Sequence, residues 1–241
     1  MTRVAIIGAH GKIAQHLMRV LYDNGDDFIG VVRSEDHADD IYRFGGEGVL
    51  LDLERSEPEA IAHAVEGADA LVFAAGAGPG SGVQRKATVD YEGSVKSQRA
   101  AQLAGVRRFV QISAMGVDDP VAPDADETWA AYVAAKRDAD AELRRSALDW
   151  TIVRPGALTL DDGTGLVSAA PRLARGSIAR ADVAAVIAAA LRLPGTIGVQ
   201  FDLVGGSTPI EEALTGLAAP GSSKEADTAA EVTPEAKGGT E

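Results

Sequence analysis

Residues 4–18, VAIIGAHGKIAQHLM, decide how the rest of this sequence is interpreted. An apolar run typical of a buried strand ends at Gly8, and a pattern of helical period begins directly after the turn. Ile13, Leu17 and Leu21 fall on one face of that helix, and Gly25 is a natural stop for it. The stretch therefore predicts a strand, a tight glycine turn and an amphipathic helix.

Six further runs rich in apolar and β-branched residues follow the first strand. They are FIGVVR, GVLLDL, ALVFAAG, RRFVQIS, DWTIVRP and VQFDLVG. These runs are mostly apolar throughout, as in strands that are covered on both faces, and most are separated by stretches of helical period. Repeated strand–helix units of this kind predict an α/β fold, with a doubly wound parallel sheet and helices on both faces.

Composition limits the class of protein and its partners. The chain has 241 residues, a net charge of -13 and no cysteine, which excludes disulfides, thiolate catalysis and cysteine-ligated zinc. The negative charge argues against nucleic acid or an anionic membrane as a partner. The longest apolar run, VAAVIAAAL, is far shorter than the roughly 20 residues that span a bilayer. The N-terminus also does not resemble a signal peptide. Together these features predict a soluble, cytoplasmic protein.

The chain divides into one domain and a tail. We expect a single domain over residues 1–216, in which residues 155–216 contribute the substrate side. From Ala218 onward Val232 is the only residue of the Leu, Ile, Val and Phe class. Such a segment cannot offset its ordering entropy by burial, so residues 217–241 are expected to form a disordered acidic tail.

The glycine turn has the features of a phosphate-binding loop. Glycine at positions 8 and 11 lets the backbone approach a pyrophosphate, which the N-terminus of the following helix attracts. Ala14 stands where a third glycine usually allows close helix–sheet packing, and a methyl group is often tolerated there. The cofactor-binding residues expected from this turn are Gly8, His10, Gly11, Lys12 and Ile13. A plain tight turn with two glycines remains an alternative.

Residues at the ends of the next strands extend this prediction. Arg33 ends the second strand, where an arginine suits the 2′-phosphate of NADP(H), so NADP(H) is favoured over NAD(H). It could equally be a solvated surface arginine. Asp52, followed by Leu53, ends the third strand and could accept a hydrogen bond from adenine or merely terminate the strand. The backbone expected to lie against the cofactor after the fourth strand belongs to Ala74, Ala75 and Gly76.

A tyrosine and a lysine are spaced for proton transfer. Tyr132 and Lys136, in YVAAK, project from one face of a predicted helix, and an ammonium beside a phenol lowers the phenol's pKa. Such a pair could exchange a proton with a carbonyl oxygen while hydride moves to or from carbon. Ser113, at the end of the fifth strand, could donate a hydrogen bond to the same oxygen. The spacing also arises by chance, and a serine ending a strand is otherwise unremarkable.

These features occur together in one known group of proteins. Over about residues 1–216, stretches such as IIGAHGKIA, GVVRS, TVDYEGS, AGVRRFVQISAMG and DWTIVRPGALT resemble the atypical branch of the short-chain dehydrogenase/reductase superfamily, in its NAD(P)H-binding, NmrA-like neighbourhood. The resemblance implies a Rossmann fold, with Lys136 on the nicotinamide ribose and Pro155 and Gly156 near the nicotinamide. In active reductases of the group, Tyr132 would be the acid/base and Ser113 the carbonyl orienter.

One departure separates the chain from the catalytically typical branch. Its only asparagine is Asn24, so the helix asparagine of that branch has no counterpart here. The leading hypothesis is an NADPH-dependent oxidoreductase that reduces a small carbonyl or quinone-like substrate. The alternatives are a non-enzymatic NADP(H)-binding redox sensor or regulatory protein and a nucleotide-sugar epimerase-like enzyme.

Overall fold

The strand β1 (Arg3–Ile7) is buried on both faces. In the computed structural model, which describes residues 1–78 and 80–217, Val4 and Ile6 pack into one apolar cluster and Ala5 and Ile7 into another. All four are at most 1% exposed. Because successive side chains of a strand point to opposite faces, the unbroken apolar run supplies two cores at once.

Seven strands form the parallel core of the sheet, as the sequence predicts. The strands of the described residues are β1, β2 (Asp27–Val32), β3 (Glu47–Leu50), β4 (Ala70–Phe73), β5 (Arg108–Ile112), β6 (Asp149–Pro155), β7 (Ala157–Thr159), β8 (Leu166–Ala170), β9 (Ser177–Ala179), β10 (Val199–Gly205) and β11 (Thr208–Pro209). The order in the main sheet is β11-β8-β10-β6-β5-β4-β1-β2-β3. The order reverses direction between β1 and β4, which is where ligands bind in doubly wound sheets.

Helices cover both faces of this sheet. They are α1 (Lys12–Asp23), α2 (Glu35–Arg43), α3 (Pro58–Ala64), α4 (Gly82–Arg85), α5 (Gly93–Leu103), α6 (Glu127–Arg145), α7 (Arg180–Arg192) and α8 (Ile210–Thr215). Buried residues of α1, α2, α7 and α8 belong to the cluster of Val4 and Ile6. Those of α3, α5 and α6 belong to the cluster of Ala5 and Ile7. The α/β fold with helices on both faces is therefore confirmed.

A π-helical segment interrupts the long helix that the sequence predicts after β4. Residues Lys86–Glu92 form it, directly between α4 and α5. It buries two charged side chains, Lys86 and Asp90, which are 7% and 1% exposed. π-helical turns shift the register of a helix and occur frequently at functional sites. The cleft that this segment borders is therefore a candidate functional site.

The part of the chain after β6 adds short strands at one edge. β8 pairs antiparallel with β10 and β11, and β7 pairs with β9 in a separate two-stranded sheet. Asp182, in the first turn of α7, accepts hydrogen bonds from the backbone amides of Thr164 and Gly165 and so fixes the loop before β8. Leu217 packs against the core, whereas residues 218–241 of the predicted tail lie outside the described residues. Within the described chain, every helix is too short or too polar to cross a bilayer.

Candidate functional site

The turn between β1 and α1 requires glycine for two reasons. Gly8 has a φ of +84°, and a Cβ there would lie 2.6 Å from the Cα of Ala75 in the loop after β4. Gly11 precedes α1, whose first turn has no side-chain cap. The amide groups of that turn are therefore available to an anion at the positive end of the helix. Ala14 is fully buried, in keeping with its expected packing role.

A first pocket of about 260 Å³ lies beside this turn, at the carboxyl ends of β1, β2 and the strand β3. Arg33 lines it as an exposed side chain. On the opposite wall, Arg85 pairs with Glu54 at 2.9 Å, and Thr88 donates to the same carboxylate at 2.6 Å. The hydrogen bond from Thr88 and the ion pair with Arg85 hold the pKa of Glu54 below its usual value. Glu54 is thus charged and paired with Arg85, whereas Arg33, whose charge also lowers the pKa of Glu54, forms no direct ion pair among the described residues.

The expected adenine-binding residues line this pocket, with one carboxylate oxygen already used. Asp52 and Leu53 both lie in its wall. The Asp52 Oδ1 accepts the backbone N–H of Glu54 at 3.0 Å and so closes a local turn, while Oδ2 is 3.5 Å from Arg55. Asp52 therefore closes the turn that follows β3, which ends at Leu50. Its Oδ2 is the freer acceptor for a ligand.

A second pocket of about 650 Å³ continues from the first. The two share the backbone of Ala74, Ala75 and Gly76, so they form one groove that crosses the carboxyl edge of the sheet. The wall of the second pocket contains Ser113, which directly follows β5, and Tyr132 and Lys136, which lie on α6. The proton-transfer residues expected from the sequence thus lie together, although they are distant along the chain.

Tyr132 is held between polar and aromatic neighbours. The Nζ of Lys86 lies 5.3 Å from its ring centroid, and the ring of Trp129 is 5.6 Å away. Burial raises the pKa of the Tyr132 phenol above its usual value, and the ammonium of Lys136 opposes this shift. The sequence emphasised only the lowering effect of lysine. In the structure burial outweighs it, so the phenol is a proton donor at neutral pH.

Lys136 is held by a carboxylate that the sequence analysis did not single out. Its Nζ donates to the carbonyl of Ile112 at 3.1 Å and lies 3.4 Å from the Oδ1 of Asp90. Both side chains are almost completely buried. The Oδ1 of Asp90 has no hydrogen-bond partner among the described residues, and its Oδ2 accepts the N–H of Ala77 at 3.1 Å. Asp90 thus acts from a buried position, where its carboxylate holds the ammonium of Lys136 in the wall of the second pocket.

The hydroxyl of Ser113 is directed away from the groove. It donates to the Oδ2 of Asp140 at 2.8 Å. The same carboxylate accepts from Gln111 and from two nitrogens of Arg154, at 2.6 Å, 2.9 Å and 2.7 Å. Burial raises the pKa of Asp140, and the charge of Arg154 and these hydrogen bonds oppose that shift. A hydroxyl has one hydrogen, so Ser113 in this arrangement offers lone pairs to a substrate rather than a donor.

Two expected cofactor residues, Lys12 and Gly156, line neither pocket in the described chain, whereas Ile13 and Pro155 line the second. Gly156 serves packing, because a Cβ there would lie 2.3 Å from the carbonyl oxygen of Gly176. The groove otherwise fits a dinucleotide: an uncapped helix N-terminus stands at the glycine turn, and the Lys136 ammonium lines the groove farther along.

Comparison with known proteins gives consistent matches to this groove and fold. A family model described as NAD(P)H-binding matches residues 8–194. The uncharacterized sugar epimerase YhfK of Bacillus subtilis is 42% identical over 216 residues, which cover 89% of this chain and 100% of that protein. A solved structure from Bacillus halodurans, provisionally named an NAD-dependent epimerase/dehydratase, is 37% identical with a TM-score of 0.83 and covers 90% of this chain and 100% of its own.

A reductase is also among the similar structures. The anaerobillin reductase ChuY of Escherichia coli O157:H7 is 25% identical with a TM-score of 0.70, and the match covers 85% of this chain and 97% of that one. The names of these similar proteins thus include both epimerase and reductase, on one fold.

Proposed function

This chain belongs to the NAD(P)H-binding family, and we propose that it is an NADPH-dependent oxidoreductase that reduces a small carbonyl or quinone-like substrate. One observation carries the proposal: Tyr132 and Lys136 of α6 share the wall of a pocket that continues from the one beside the glycine turn. A carbonyl reduction needs one proton at the oxygen as hydride reaches the carbon, and this phenol is placed to donate it.

Each part of the groove has a role in this proposal. The turn from Gly8 to Gly11 and the N-terminus of α1 bind the pyrophosphate, and Arg33 binds the adenosine end. Lys136 binds hydroxyls of the nicotinamide ribose, and Asp90 holds the Lys136 ammonium in place. When bound, the nicotinamide cofactor supplies the hydride. The Oη of Tyr132 donates a proton to the substrate oxygen, and Lys136 stabilises the phenolate that remains.

The lining of the second pocket supports a small, largely apolar substrate. Ile13, Pro155 and Leu158 provide apolar contact, and Trp129 adds an aromatic face at a position that is 46% exposed. The exposed surface of this pocket is mainly apolar, and Tyr132 and Lys136 are among its polar residues, as is typical of small-molecule sites. The substrate is therefore expected to carry its reactive oxygen at one end of an apolar or flat body.

The proposal is tested by NADPH oxidation. The purified protein is incubated with NADPH and a panel of aldehydes, ketones and quinones, and loss of NADPH absorbance is followed beside the Tyr132→Phe variant. We expect at least one compound to give turnover well above that variant. If NADPH binds but neither these compounds nor nucleoside diphosphate sugars react, the chain is a non-enzymatic cofactor-binding sensor or regulatory protein.

A second candidate is sugar epimerisation, which the name of the Bacillus subtilis relative favours. The same tyrosine and lysine would then transfer a proton to and from a sugar hydroxyl. Incubation with nucleoside diphosphate sugars, with the product epimers resolved by chromatography, tests this candidate. Interconversion without net NADPH oxidation would favour it over the reductase.

Replacing Arg33 with alanine is expected to weaken NADPH binding about 10- to 100-fold, the value of one or two charge-assisted hydrogen bonds. NADH, which lacks the 2′-phosphate, should lose less than about twofold. Cofactor titrations followed by fluorescence measure both affinities. The matched control is Arg55→Ala, because Arg55 is a neighbouring exposed arginine outside the pocket lining. Equal losses for NADPH and NADH would contradict a 2′-phosphate role for Arg33.

A further inference from the structure

Two histidines lie face to face in the wall of the first pocket. His10 is in the turn after β1, and His37 is in α2. Their ring centroids are 3.5 Å apart, and the ring planes differ by 8°. Both line the same pocket as Arg33. The sequence analysis placed His10 in the cofactor turn and gave His37 no role.

The polar groups around this histidine stack leave it facing the pocket. The Nε2 of His10 lies 3.3 Å from the Oδ2 of Asp40, whose other oxygen accepts from Arg43 at 2.9 Å. Asp40 therefore orients the His10 ring from the far side. The charged residues of the stack's own helix α2 are Glu35, Asp36, Asp39, Asp40 and Arg43. The charged residues that line the same pocket are Arg33, Asp52, Glu54 and Arg85.

We propose that the histidine stack acts with Arg33 to bind the 2′-phosphate of NADP(H), and that a proton held on the stack strengthens the preference for NADP(H) over NAD(H) at lower pH. The inference rests on the proposed cofactor-binding function of the first pocket. It adds His37 to the ligand set and makes cofactor choice depend on pH.

The charges on the two partners carry this inference. A phosphate monoester is a dianion above about pH 6, and imidazole changes its charge between about pH 5 and 8. Two rings stacked at 3.5 Å accommodate one positive charge far better than two. A dianion arriving beside Arg33 therefore favours one proton on the stack. Since NADH lacks this phosphate, it gains nothing from the proton.

Binding measurements at two pH values test the inference without relying on turnover. Affinities of the full-length protein for NADPH and NADH are compared at about pH 6.5 and about pH 8.5, between which an imidazole loses its charge. We expect the ratio of NADPH to NADH affinity to fall by about tenfold at the higher pH. In the His37→Gln variant this ratio should change less than about twofold over the same range.

A matched control and a second measurement make the test decisive. His63→Gln removes a histidine of α3 whose side chain is 87% exposed, and it should keep the wild-type pH dependence. Calorimetry of NADPH binding in buffers of different ionisation enthalpy should show proton uptake by the wild type. It should show much less uptake for NADH. This second readout does not depend on any variant folding correctly.

Different outcomes overturn different claims. A wild-type affinity ratio that does not change with pH, or NADPH binding without proton uptake, overturns the role of the histidine stack. Equal weakening of NADPH and NADH in His37→Gln also overturns it, because the ring would then serve the shared adenosine. If NADPH binds no more tightly than NADH at either pH, the proposed cofactor preference fails as well.

Discussion

Replacing Tyr132 with phenylalanine is expected to lower the turnover number about 10²- to 10⁴-fold, the usual contribution of a positioned general acid. NADPH affinity should change less than about threefold, because the phenol donates to the substrate and the ring keeps its packing. The lost hydroxyl leaves the substrate oxygen without the donor that the pocket provides. Stopped-flow or steady-state NADPH oxidation, together with a binding titration, separates the two quantities.

The pH dependence of the wild type tests the same assignment. Because burial raises the pKa of the Tyr132 phenol above its usual value near 10, the phenol stays protonated throughout the neutral range. Carbonyl reduction, which needs the protonated form, should therefore stay level as pH rises from about 7 to 9. Alcohol oxidation needs the phenolate and should increase over the same range. A reduction rate that falls about tenfold for each pH unit between about pH 7 and 9 would contradict the assignment.

Two other variants serve as comparisons. Tyr22→Phe changes a tyrosine that is 62% exposed, on α1, and should leave turnover unchanged. Ser113→Ala should lower turnover less than about tenfold, since the Ser113 hydrogen is used by Asp140. A loss for Ser113→Ala as large as that for Tyr132→Phe would mean that Ser113 turns toward the substrate during reaction.

The sequence predicted the parallel part of the sheet because burial on both faces leaves an unmistakable pattern. β1 is apolar at successive positions, and each position enters one of two cores. The edge strands were harder to predict, because β8 and β11 are short and partly exposed and lie among Gly, Ser and Thr residues. β8 pairs with β10 and β11 pairs with β8, and no local pattern in the residues of β8 and β11 specifies these registers.

The sequence predicted the main residues of the candidate site but not the buried charged residues that support them. Motif residues such as Gly8, Arg33 and Tyr132 could be placed because their positions at strand ends and on a helix face imply a common edge. Asp90 could not be placed from the sequence. It lies in the π-helical segment, whose shifted register hides which residues of the helix face the core. Asp140 carried a usable signal: it follows Tyr132 and Lys136 at successive intervals of four, on one helical face.

The buried charges divide into two groups along this face of α6. Lys136 pairs with Asp90 beside the groove, and both residues line the second pocket. Asp140 pairs with Arg154 one turn farther on, where all of its partners are already present. The first pair is thus suited to binding a ligand. The second is suited to holding β5, β6 and α6 in place around the site.

Replacing Arg154 with methionine is expected to lower the free energy of unfolding at neutral pH by about 3–5 kcal/mol, because it leaves a buried carboxylate without its counter-charge. Asp118, the other partner of Arg154, is 46% exposed and can be hydrated instead. Adding Asp140→Leu should restore part of the loss, since it removes the unpaired carboxylate but leaves the buried donors of Ser113 and Gln111 without their acceptor. Urea unfolding measures all three proteins, with Arg137→Met, at a 46% exposed side chain, as control.

The sign of the pH effect makes this prediction sharper. Without Arg154, burial dominates at Asp140 and its pKa in the folded state lies further above the unfolded value. Protonation then stabilises the folded variant fully below the unfolded pKa, and this stability is lost as pH rises through the folded pKa. The deficit of Arg154→Met relative to wild type should therefore shrink as pH falls from about 7 to about 4. A deficit that is constant over this range would mean that lost packing, rather than an unpaired carboxylate, destabilises the variant.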